Sequence, residues 1–550
     1  MPLSHCPPGG VLHRALWATL GLTVSVAAGA QAVAPAGGSP APAAAPVILF
    51  DIRGFDVVGE NPLSASETTE VLAPFLRTKA SIDTLGKASE ALEAALKSRG
   101  FGLHRVTLPP QELGATVRLE VVSFKLAKVD YQGMKALDRA NIERGLPVLR
   151  SGASPNLAAL ATETKMSNAG NHKQVRVGLK ASESPDAIDA TVTVQESSPW
   201  QLGLDLSNSG TAATGRDRFT LLASHSNVFD RDHQFSGVWT SSFEKPGDVK
   251  QWGLTYKLPL YLQTSWLTAS FSRSDVVGRF GAFSSTGAGD SFSLALVKVI
   301  PLAEGQSFEW NATLADRLFR GAQLLDASGA AIAGTATPDT RGRSLSGGFS
   351  GTQSGDNRLF SYGVNFVTSL SGGRGNDLAS FTNGGLNTAI KSRNWKAIRG
   401  NLGFSQGFPS GWVLSLRSEF QMSPDALIAG EQFGVGGASS LRGLKDRALQ
   451  GDQGVMASLQ LNTPPVAPGL QLQGFLDSAQ LRHHNPNASR LVSDRASTVG
   501  VGLRWAKEPN VFVSVDYGRV ITGSRLPAAS FPDAPKKGDD RMHVTVSLRY

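Results

Sequence analysis

The chain ends with Arg541-Met-His-Val-Thr-Val-Ser-Leu-Arg-Tyr550, a segment in which polar and apolar side chains alternate without a break. Successive side chains of a β-strand point to opposite faces. One face of this segment is therefore wholly apolar and consists of Met542, Val544, Val546, Leu548 and Tyr550. The opposite face carries Arg541, His543, Thr545, Ser547 and Arg549. A segment of about ten residues with this alternation is typical of a strand that crosses a membrane as part of a β-barrel.

The same period of two returns along most of the chain after Trp200, for example around Phe360, Trp412 and Val499. Short turns alternate with long polar loops, and the long loops lie near residues 274–290, 318–342, 371–393, 423–453, 480–496 and 521–540. A soluble β-sandwich also alternates, but it has no reason to keep all its long loops at one end. We therefore predict a transmembrane antiparallel β-barrel of about 16 strands over residues 198–550, with both chain ends on the periplasmic side.

The beginning of the chain is typical of an exported protein. Arg14 precedes an apolar run over residues 15–28, and small residues follow at the spacing that a signal peptidase cleaves. The run is shorter than the roughly 20 residues of a membrane-spanning helix. We predict a signal peptide over residues 1–32, which contains the single cysteine, Cys6, and a Pro/Ala-rich linker over residues 33–46.

Composition and motifs argue against several classes of protein. The formal net charge is +8, but only 18% of the residues are charged, and there is no Lys/Arg block of the kind that binds nucleic acid. No H-E-x-x-H or P-loop motif is present, and no catalytic motif organises the Ser, His and Asp residues of the chain. We therefore predict no nucleic-acid partner, no enzyme activity, no cofactor and no metal site. The paired His483 and His484 are interpreted as solvated loop residues.

Residues 47–196 have a mixed α/β pattern that occurs twice. The first unit comprises a strand Val47–Val58, a short helix after a Ser64…Glu67 capping box, a longer helix from Ser81, and strands Phe101–Leu108 and Thr116–Val122. The second repeats the order with Ala127–Tyr131, Asp138–Arg144, Asn156–Asn168, Gln174–Lys180 and Ala187–Val194. We assign residues 47–123 and 124–197 to two β-α-α-β-β domains that precede the barrel.

The loop at 423–453 contains Leu441-Arg442-Gly443-Leu444, flanked by the glycine-rich stretches 434–437 and 451–454. Here the sequence resembles the two-partner-secretion transporters, the TpsB group of FhaC- and ShlB-like proteins, whose superfamily includes the barrel-assembly protein BamA. In that superfamily the equivalent loop carries a [VI]RG[FY] tip, folds into the barrel lumen and docks its arginine on the inner wall. This sequence matches at Arg442 and Gly443, and the flanking leucines are conservative replacements.

A second motif lies on the next predicted strand. Phe475-Leu476-Asp477-Ser478-Ala479 resembles the F-x-D-x-[GA] wall motif of these transporters, in which the aspartate receives the loop arginine. Alternation puts Leu476 outward and Phe475 and Asp477 inward, where an acceptor must lie. A bidentate Arg–carboxylate pair places the loop with a directionality that lysine lacks. In a wet lumen such a pair contributes only about 0–1 kcal/mol, so we expect it to position the loop rather than stabilise the fold.

The two α/β units resemble the POTRA domains of these transporters. Leu108-Pro109-Pro110-Gln111 resembles POTRA 1, and the resemblance implies Pro109, Pro110 and Gln111 as candidates for docking a client. Residues 168–177 and 196–200 resemble POTRA 2 and its junction with the barrel. Asn227-Val-Phe-Asp-Arg-Asp232 resembles the turn between the second and third barrel strands. Several family members thread a plug helix through the pore, but residues 33–46 are too short and Pro-rich to form one.

The resemblance implies an outer-membrane transporter with POTRA domains in the periplasm. These domains would recognise a secreted, haemolysin- or adhesin-like protein that the barrel passes to the cell surface. The resemblance also implies contact with outer-membrane lipid, help from periplasmic chaperones and the barrel-assembly machinery during biogenesis, and Tyr550 as the C-terminal assembly signal. Two alternatives remain: a superfamily member that assembles membrane proteins or handles lipid, and a passive porin, which needs no POTRA domains.

Overall fold

The computed structural model describes residues 49–112, 114–280, 283–300, 302, 305–321, 336–383, 388–486, 491–507, 509–527 and 534–550. The predicted signal peptide and linker, residues 1–32 and 33–46, lie outside these ranges. Within the described ranges, every helix is too short or too polar to cross a membrane.

The first α/β unit contains five strands and two helices: β1 (Phe50–Ile52), β2 (Gly54–Gly59), α1 (Ala65–Leu72), β3 (Arg77–Ala80), α2 (Ile82–Ser98), β4 (His104–Thr107) and β5 (Thr116–Ser123). Its main sheet has the order β2-β5-β4, with β2 parallel to β5. The predicted capping box forms at the start of α1, where Ser64 and Glu67 bond to each other's backbone. Helix α2 buries Leu85, Ala88, Leu92 and Leu96.

The predicted opening strand Val47–Val58 is wrong as a single element. The backbone amides of Arg53 and Gly54 both donate to the carbonyl of Ala115, at 2.7 and 3.1 Å. The strand is interrupted at Arg53, so that β1 pairs with the unpredicted β3 and only β2 joins the main sheet.

The second α/β unit follows the predicted order, with β6 (Lys125–Gln132), α3 (Arg139–Gly145), α4 (Leu157–Ser167), β7 (Lys173–Ala181) and β8 (Ala187–Glu196). The sheet order is β6-β8-β7, which leaves β6 and β7 at the edges. The side chains of Asp138 and Asn156 cap α3 and α4 by accepting hydrogen bonds from backbone amides. The helices pack on the sheet through Leu126, Ile142, Leu146, Leu160, Val175 and Val192.

The rest of the chain is almost entirely β. Its described residues form one short α-helix, α5 (Leu378–Thr382), and two 3-10 turns, Tyr261–Gln263 and Ala429–Glu431. The strands are β9 (Trp200–Ser207), β10 (Arg218–Val228), β11 (His233–Ser241), β12 (Gln251–Leu260), β13 (Ser265–Ser274), β14 (Val277–Phe280), β15 (Phe283–Thr286), β16 (Gly289–Ile300), β17 (Gln306–Phe319), β18 (Thr340–Ser354), β19 (Arg358–Leu370), β20 (Lys396–Gly407), β21 (Val413–Met422), β22 (Phe433–Val435), β23 (Leu449–Gly451), β24 (Gln453–Asn462), β25 (Leu470–Arg482), β26 (Ser493–Lys507), β27 (Val511–Thr522) and β28 (Asp540–Arg549).

Sixteen of these strands close into one barrel, and the pairs β14–β15 and β22–β23 form separate two-stranded sheets within long loops. Neighbouring barrel strands are antiparallel, and β28 pairs with β9 to close the ring. The predicted barrel of about 16 strands is confirmed. Closure satisfies the backbone of every strand without an open edge, which a lipid environment requires.

Alternation along each strand separates a lipid face from a lumen face. On β28, Met542 is 51% exposed on the outside, whereas the neighbouring His543 is 4% exposed and points inward. The long loops lie at one end of the barrel, here called the outer end. Tyr550 lies at the opposite end, where its backbone amide and carbonyl both pair with Leu202 of β9 at 2.9 Å.

Candidate functional site: the loop inside the barrel

One long connection does not stay outside the barrel. Residues 423–452, here called the lumen loop, leave β21 at the outer end, form the hairpin β22–β23, and return to β24. The tip of the loop, Leu441-Arg442-Gly443-Leu444, is buried against the inner wall. The structure thus brings the sequence motif of the loop together with that of the wall.

All three guanidinium nitrogens of Arg442 donate hydrogen bonds to the inner wall. Its Nε and Nη2 donate to the two carboxylate oxygens of Asp477 at 2.9 and 2.8 Å, and its backbone amide donates to the same carboxylate at 3.0 Å. Nη1 donates to Gln460 Oε1 at 2.8 Å, and Nη2 also donates to Ser458 Oγ at 3.0 Å. Lysine has neither the fork geometry nor the number of donors to satisfy all these acceptors.

Phe475 completes the receptor for the arginine. The guanidinium carbon of Arg442 lies 3.5 Å from the centre of the Phe475 ring, which is a cation–π contact. Both residues of the predicted wall motif therefore touch the loop arginine, one through its carboxylate and the other through its ring.

The surroundings of this pair differ from the expectation. The side chain of Asp477 is fully buried and that of Arg442 is 6% exposed, so the pair is not in a wet lumen. The predicted contribution of about 0–1 kcal/mol applies to exposed pairs and is wrong for this environment. Removing one partner of a buried pair leaves an uncompensated charge, which costs about 3–5 kcal/mol.

The leucines that flank the arginine explain why water is excluded. Leu441 and Leu444 are buried in an apolar cluster within the lumen, which also contains Val435, Leu449, Met456, Ala479, Leu481, Ala496 and Val520. The cluster joins the loop to four neighbouring wall strands, β24 to β27. The two positions that depart from the family motif are thus apolar packing positions.

A glycine on the wall allows the tip to approach closely, and sequence reasoning missed it. A Cβ atom on Gly518 of β27 would lie 2.7 Å from the backbone of Arg442, and one on Gly443 would lie 2.7 Å from Gly518. Gly443 also has a φ of 93°, which disfavours other residues. Its amide lies 3.3 Å from Nε2 of His543 on β28. The sequence signal for this close approach was Gly518 itself, a glycine at a position of β27 whose alternation points it into the lumen.

The second α/β unit meets the barrel in a buried polar group, here called the junction cluster: Asn141, His172, Lys173, Asp232 and Tyr261. Lys173 is fully buried, and its ammonium group donates to Asp232 at 2.7 Å and to Asn141 at 2.5 Å. His172 Nε2 and Tyr261 Oη lie 3.0 and 2.6 Å from the carboxylate of Asp232. Two elements of the second unit are thereby fixed to the turn between β10 and β11.

The electrostatics of the junction cluster favour an ion pair. Burial alone would raise the pKa of the Asp232 carboxyl, but hydrogen bonds from His172, Lys173 and Tyr261 and the charge of Lys173 hold it at about 2. Burial lowers the pKa of Lys173, and the adjacent Asp232 carboxylate opposes this shift. Asp232 is therefore ionised at any physiological pH and requires its donors.

The barrel turn in this cluster is held in an unusual backbone conformation. Phe229, Asp230 and Asp232 have φ values of 59°, 54° and 58°. A left-handed conformation outside glycine costs about 1 kcal/mol or more, and the contacts with the second unit offset this cost. The turn corresponds to the 227–232 segment that the sequence analysis singled out.

The three residues predicted to dock a client also have definite surroundings. The side chain of Gln111 bonds to the backbone of Arg118 in both directions, at 2.8 Å each, and so continues the pairing of β5. Next to it, Pro110 is exposed and Pro109 is half-buried.

The interpretation of His483 and His484 as solvated residues is wrong. His484 donates its backbone amide to Asp452 at 2.9 Å, and its Nε2 lies 2.7 Å from the carbonyl of Ser423. The side chain of His483 is only 13% exposed and lies 3.8 Å from the buried Asp452 carboxylate. Both histidines pack at the base of the lumen loop.

The family is shown by comparison with protein-family models. The model of the haemolysin secretion/activation proteins ShlB/FhaC/HecB matches residues 186–505, which is more than half of the 550-residue chain. The model of the ShlB-type POTRA domain matches residues 50–123. The resemblance predicted from the sequence is confirmed.

Individual relatives agree with this result. An outer membrane transporter CdiB from Dickeya dadantii (strain 3937) is 22% identical over 500 residues, 84% of this chain and 81% of the relative. The CdiB of Escherichia coli is 24% identical over 424 residues, 74% and 67% of the two chains.

Two solved structures share the fold. CdiB from Escherichia coli has a TM-score of 0.73 at 17% identity and covers 93% of both chains. CdiB from Acinetobacter baumannii has a TM-score of 0.69 at 16% identity and covers 91% of this chain and 90% of its own.

Proposed function

The chain belongs to the ShlB/FhaC/HecB family of two-partner-secretion transporters of the outer membrane, with its POTRA domains in the periplasm, and we propose that it carries a secreted partner protein through its own barrel. The observation that supports this proposal most is the buried docking of Arg442 on Asp477. A non-covalent contact inside a barrel can hold a loop across the lumen and still release it when a polypeptide enters.

Recognition of the partner is assigned to the two POTRA domains, residues 47–123 and 124–197. In the sheet of the second POTRA domain, β6 and β7 are edge strands, and an extended client can add a strand to such an edge. In the first domain, Pro109, Pro110 and Gln111 remain the candidates for docking, because they lie in the connection between β4 and β5, where Pro110 is exposed.

The direction of transport then needs no nucleotide. The sequence carries no P-loop, and the lumen loop's Gly434-Val-Gly-Gly437 lacks the Lys-Ser/Thr of a phosphate cradle. We propose that the client enters unfolded, displaces the Arg442 tip, and folds outside, so that its folding free energy opposes return.

The remaining partners follow from the same proposal. The client is a large haemolysin- or adhesin-like exoprotein, and the apolar outer face of the barrel contacts lipid. Periplasmic chaperones and the barrel-assembly machinery insert the chain, with Tyr550 as the recognised C-terminal residue.

Deletion of the gene tests this function. We expect one large protein to disappear from the culture supernatant and the cell surface, because no other route exports it, and to return on complementation. Quantitative proteomics of both fractions measures this. An unchanged set of exported proteins contradicts the proposal, and a general loss of outer-membrane proteins favours an assembly function instead.

A further inference from the structure

The lumen loop is fixed to the wall a second time, at Glu431, which precedes the Arg442 tip in the same loop. Glu431 ends a 3-10 helix, Ala429–Glu431, and its side chain is 0% exposed. Arg317 Nη1 donates to both carboxylate oxygens of Glu431, at 3.1 and 3.2 Å. Arg399 Nη2 donates to the carboxylate at 2.8 Å and to the backbone carbonyl of Glu431 at 3.0 Å. Gln421 Nε2 donates to the same carbonyl at 3.1 Å.

The two attachments lie at different depths in the barrel. Arg317 is close to the end of β17 and Arg399 close to the start of β20, so both are near the outer end. Asp477, which holds Arg442, lies in the middle of β25. The loop also reaches different arcs of the wall, with Glu431 on β17 and β20 and Arg442 on β24 and β25. It therefore extends across the lumen between two fixed points.

The two attachments also have opposite polarity. At Arg442 the loop supplies the cation and the wall the carboxylate, whereas at Glu431 the loop supplies the carboxylate and the wall two cations. Neither ion pair can substitute for the other. If the loop moves away at either attachment, a buried charge is left without its partner. Such charges strongly disfavour a partly released loop.

We infer that Glu431 is a positioning residue that holds the outer half of the lumen loop across the pore, independently of the Arg442 tip. Arg317 and Arg399 are its receptors on the wall. Leu427 and Ile428 also hold the loop against the wall through apolar contacts, but such contacts are not directional. The outer part of the lumen opens only when the Glu431 contacts break, whatever the state of Arg442.

Single-channel recording of the full-length protein in planar lipid bilayers tests this inference. Glu431→Gln keeps the shape of the side chain and removes its charge. We expect the open fraction to rise about tenfold or more, a shift that corresponds to about 1.4 kcal/mol. Glu419→Gln is the matched control, because Glu419 is a partly exposed carboxylate on the lumen face of β21. It should conduct like the unmodified protein.

A second variant separates this role from a general effect on folding. Arg399→Gln should also raise the open fraction, and it should add little in the Glu431→Gln background, because its ionic partner is already gone. Additive effects of the two substitutions, or a Glu431→Gln open fraction equal to that of the control, overturn the inference. If Glu431→Gln does not insert, Arg399→Gln decides alone: a raised open fraction supports the inference and an unchanged one overturns it. The recording contains no client, so its result is independent of the proposed export.

Discussion

Replacement of Arg442 by alanine is expected to reduce export of the partner protein by roughly 100-fold while the barrel still inserts into the outer membrane. The substitution leaves the fully buried carboxylate of Asp477 without its cation, at a cost of about 3–5 kcal/mol, and each 1.4 kcal/mol changes an equilibrium about tenfold. The tip then loses its docked position. Secretion of the partner and heat-modifiable migration of the barrel measure the two halves of this expectation.

Two further variants test whether the loss of export follows from the hydrogen bonds of the Arg442 guanidinium group. Arg442→Lys should behave almost like the alanine variant, because lysine keeps the charge but cannot reach Asp477, Ser458 and Gln460 together. Lys445→Ala removes an exposed rather than a buried cation from the same loop, so it should reduce export far less than Arg442→Ala. Normal export by Arg442→Ala would remove the assigned role of the loop tip.

Lys173→Met is expected to loosen the second POTRA domain from the barrel. It leaves the Asp232 carboxylate buried and short of its cation, with Asn141, His172 and Tyr261 as remaining partners. Breaking a buried pair in this way costs about 3–5 kcal/mol. Hydrogen exchange of residues 227–233 should therefore accelerate by roughly 100-fold, and export should fall because the client is no longer delivered to the pore in a fixed orientation.

The control for this prediction is Lys165→Met, which removes an exposed lysine from α4 of the same domain. A compensating Asp232→Asn substitution in the Lys173→Met background should recover part of the lost protection, because it removes the orphaned charge. Unchanged exchange of the 227–233 turn in Lys173→Met would show that the ion pair does not fix the domain.

The barrel could be predicted from the sequence because its signal is local and repeated. Alternation within each segment and the unequal lengths of successive loops are properties of neighbouring residues. They predict about sixteen strands, and the inward and outward faces predicted around Phe360, Trp412, Val499 and Met542 agree with the structure. The pairing of Arg442 with Asp477 came from two short motifs whose family resemblance supplied the link. Alternation then showed that Asp477 points inward.

What could not be predicted depends on contacts between distant parts of the chain. Arg442 is buried from solvent because Leu441 and Leu444 pack on four wall strands. Lys173 and Asp232 are 59 positions apart, and Arg317 and Glu431 are 114 apart. Lys173 offered a partial signal, since it lies on the same strand face as the buried Val175. A lysine on an apolar face requires a buried carboxylate, but the sequence did not identify which one.

Passage of the client through the lumen is the central claim, and site-specific photo-crosslinking during secretion tests it most directly. Ser405 on β20 faces the lumen, where its hydroxyl lies 3.0 Å from that of Ser415, whereas Leu402 on the same strand is 45% exposed on the outer face. A photoreactive residue at position 405 is predicted to capture the secreted partner in transit, and one at position 402 is predicted not to. Capture at position 402 alone, or at neither position while export continues, would contradict transport through this barrel.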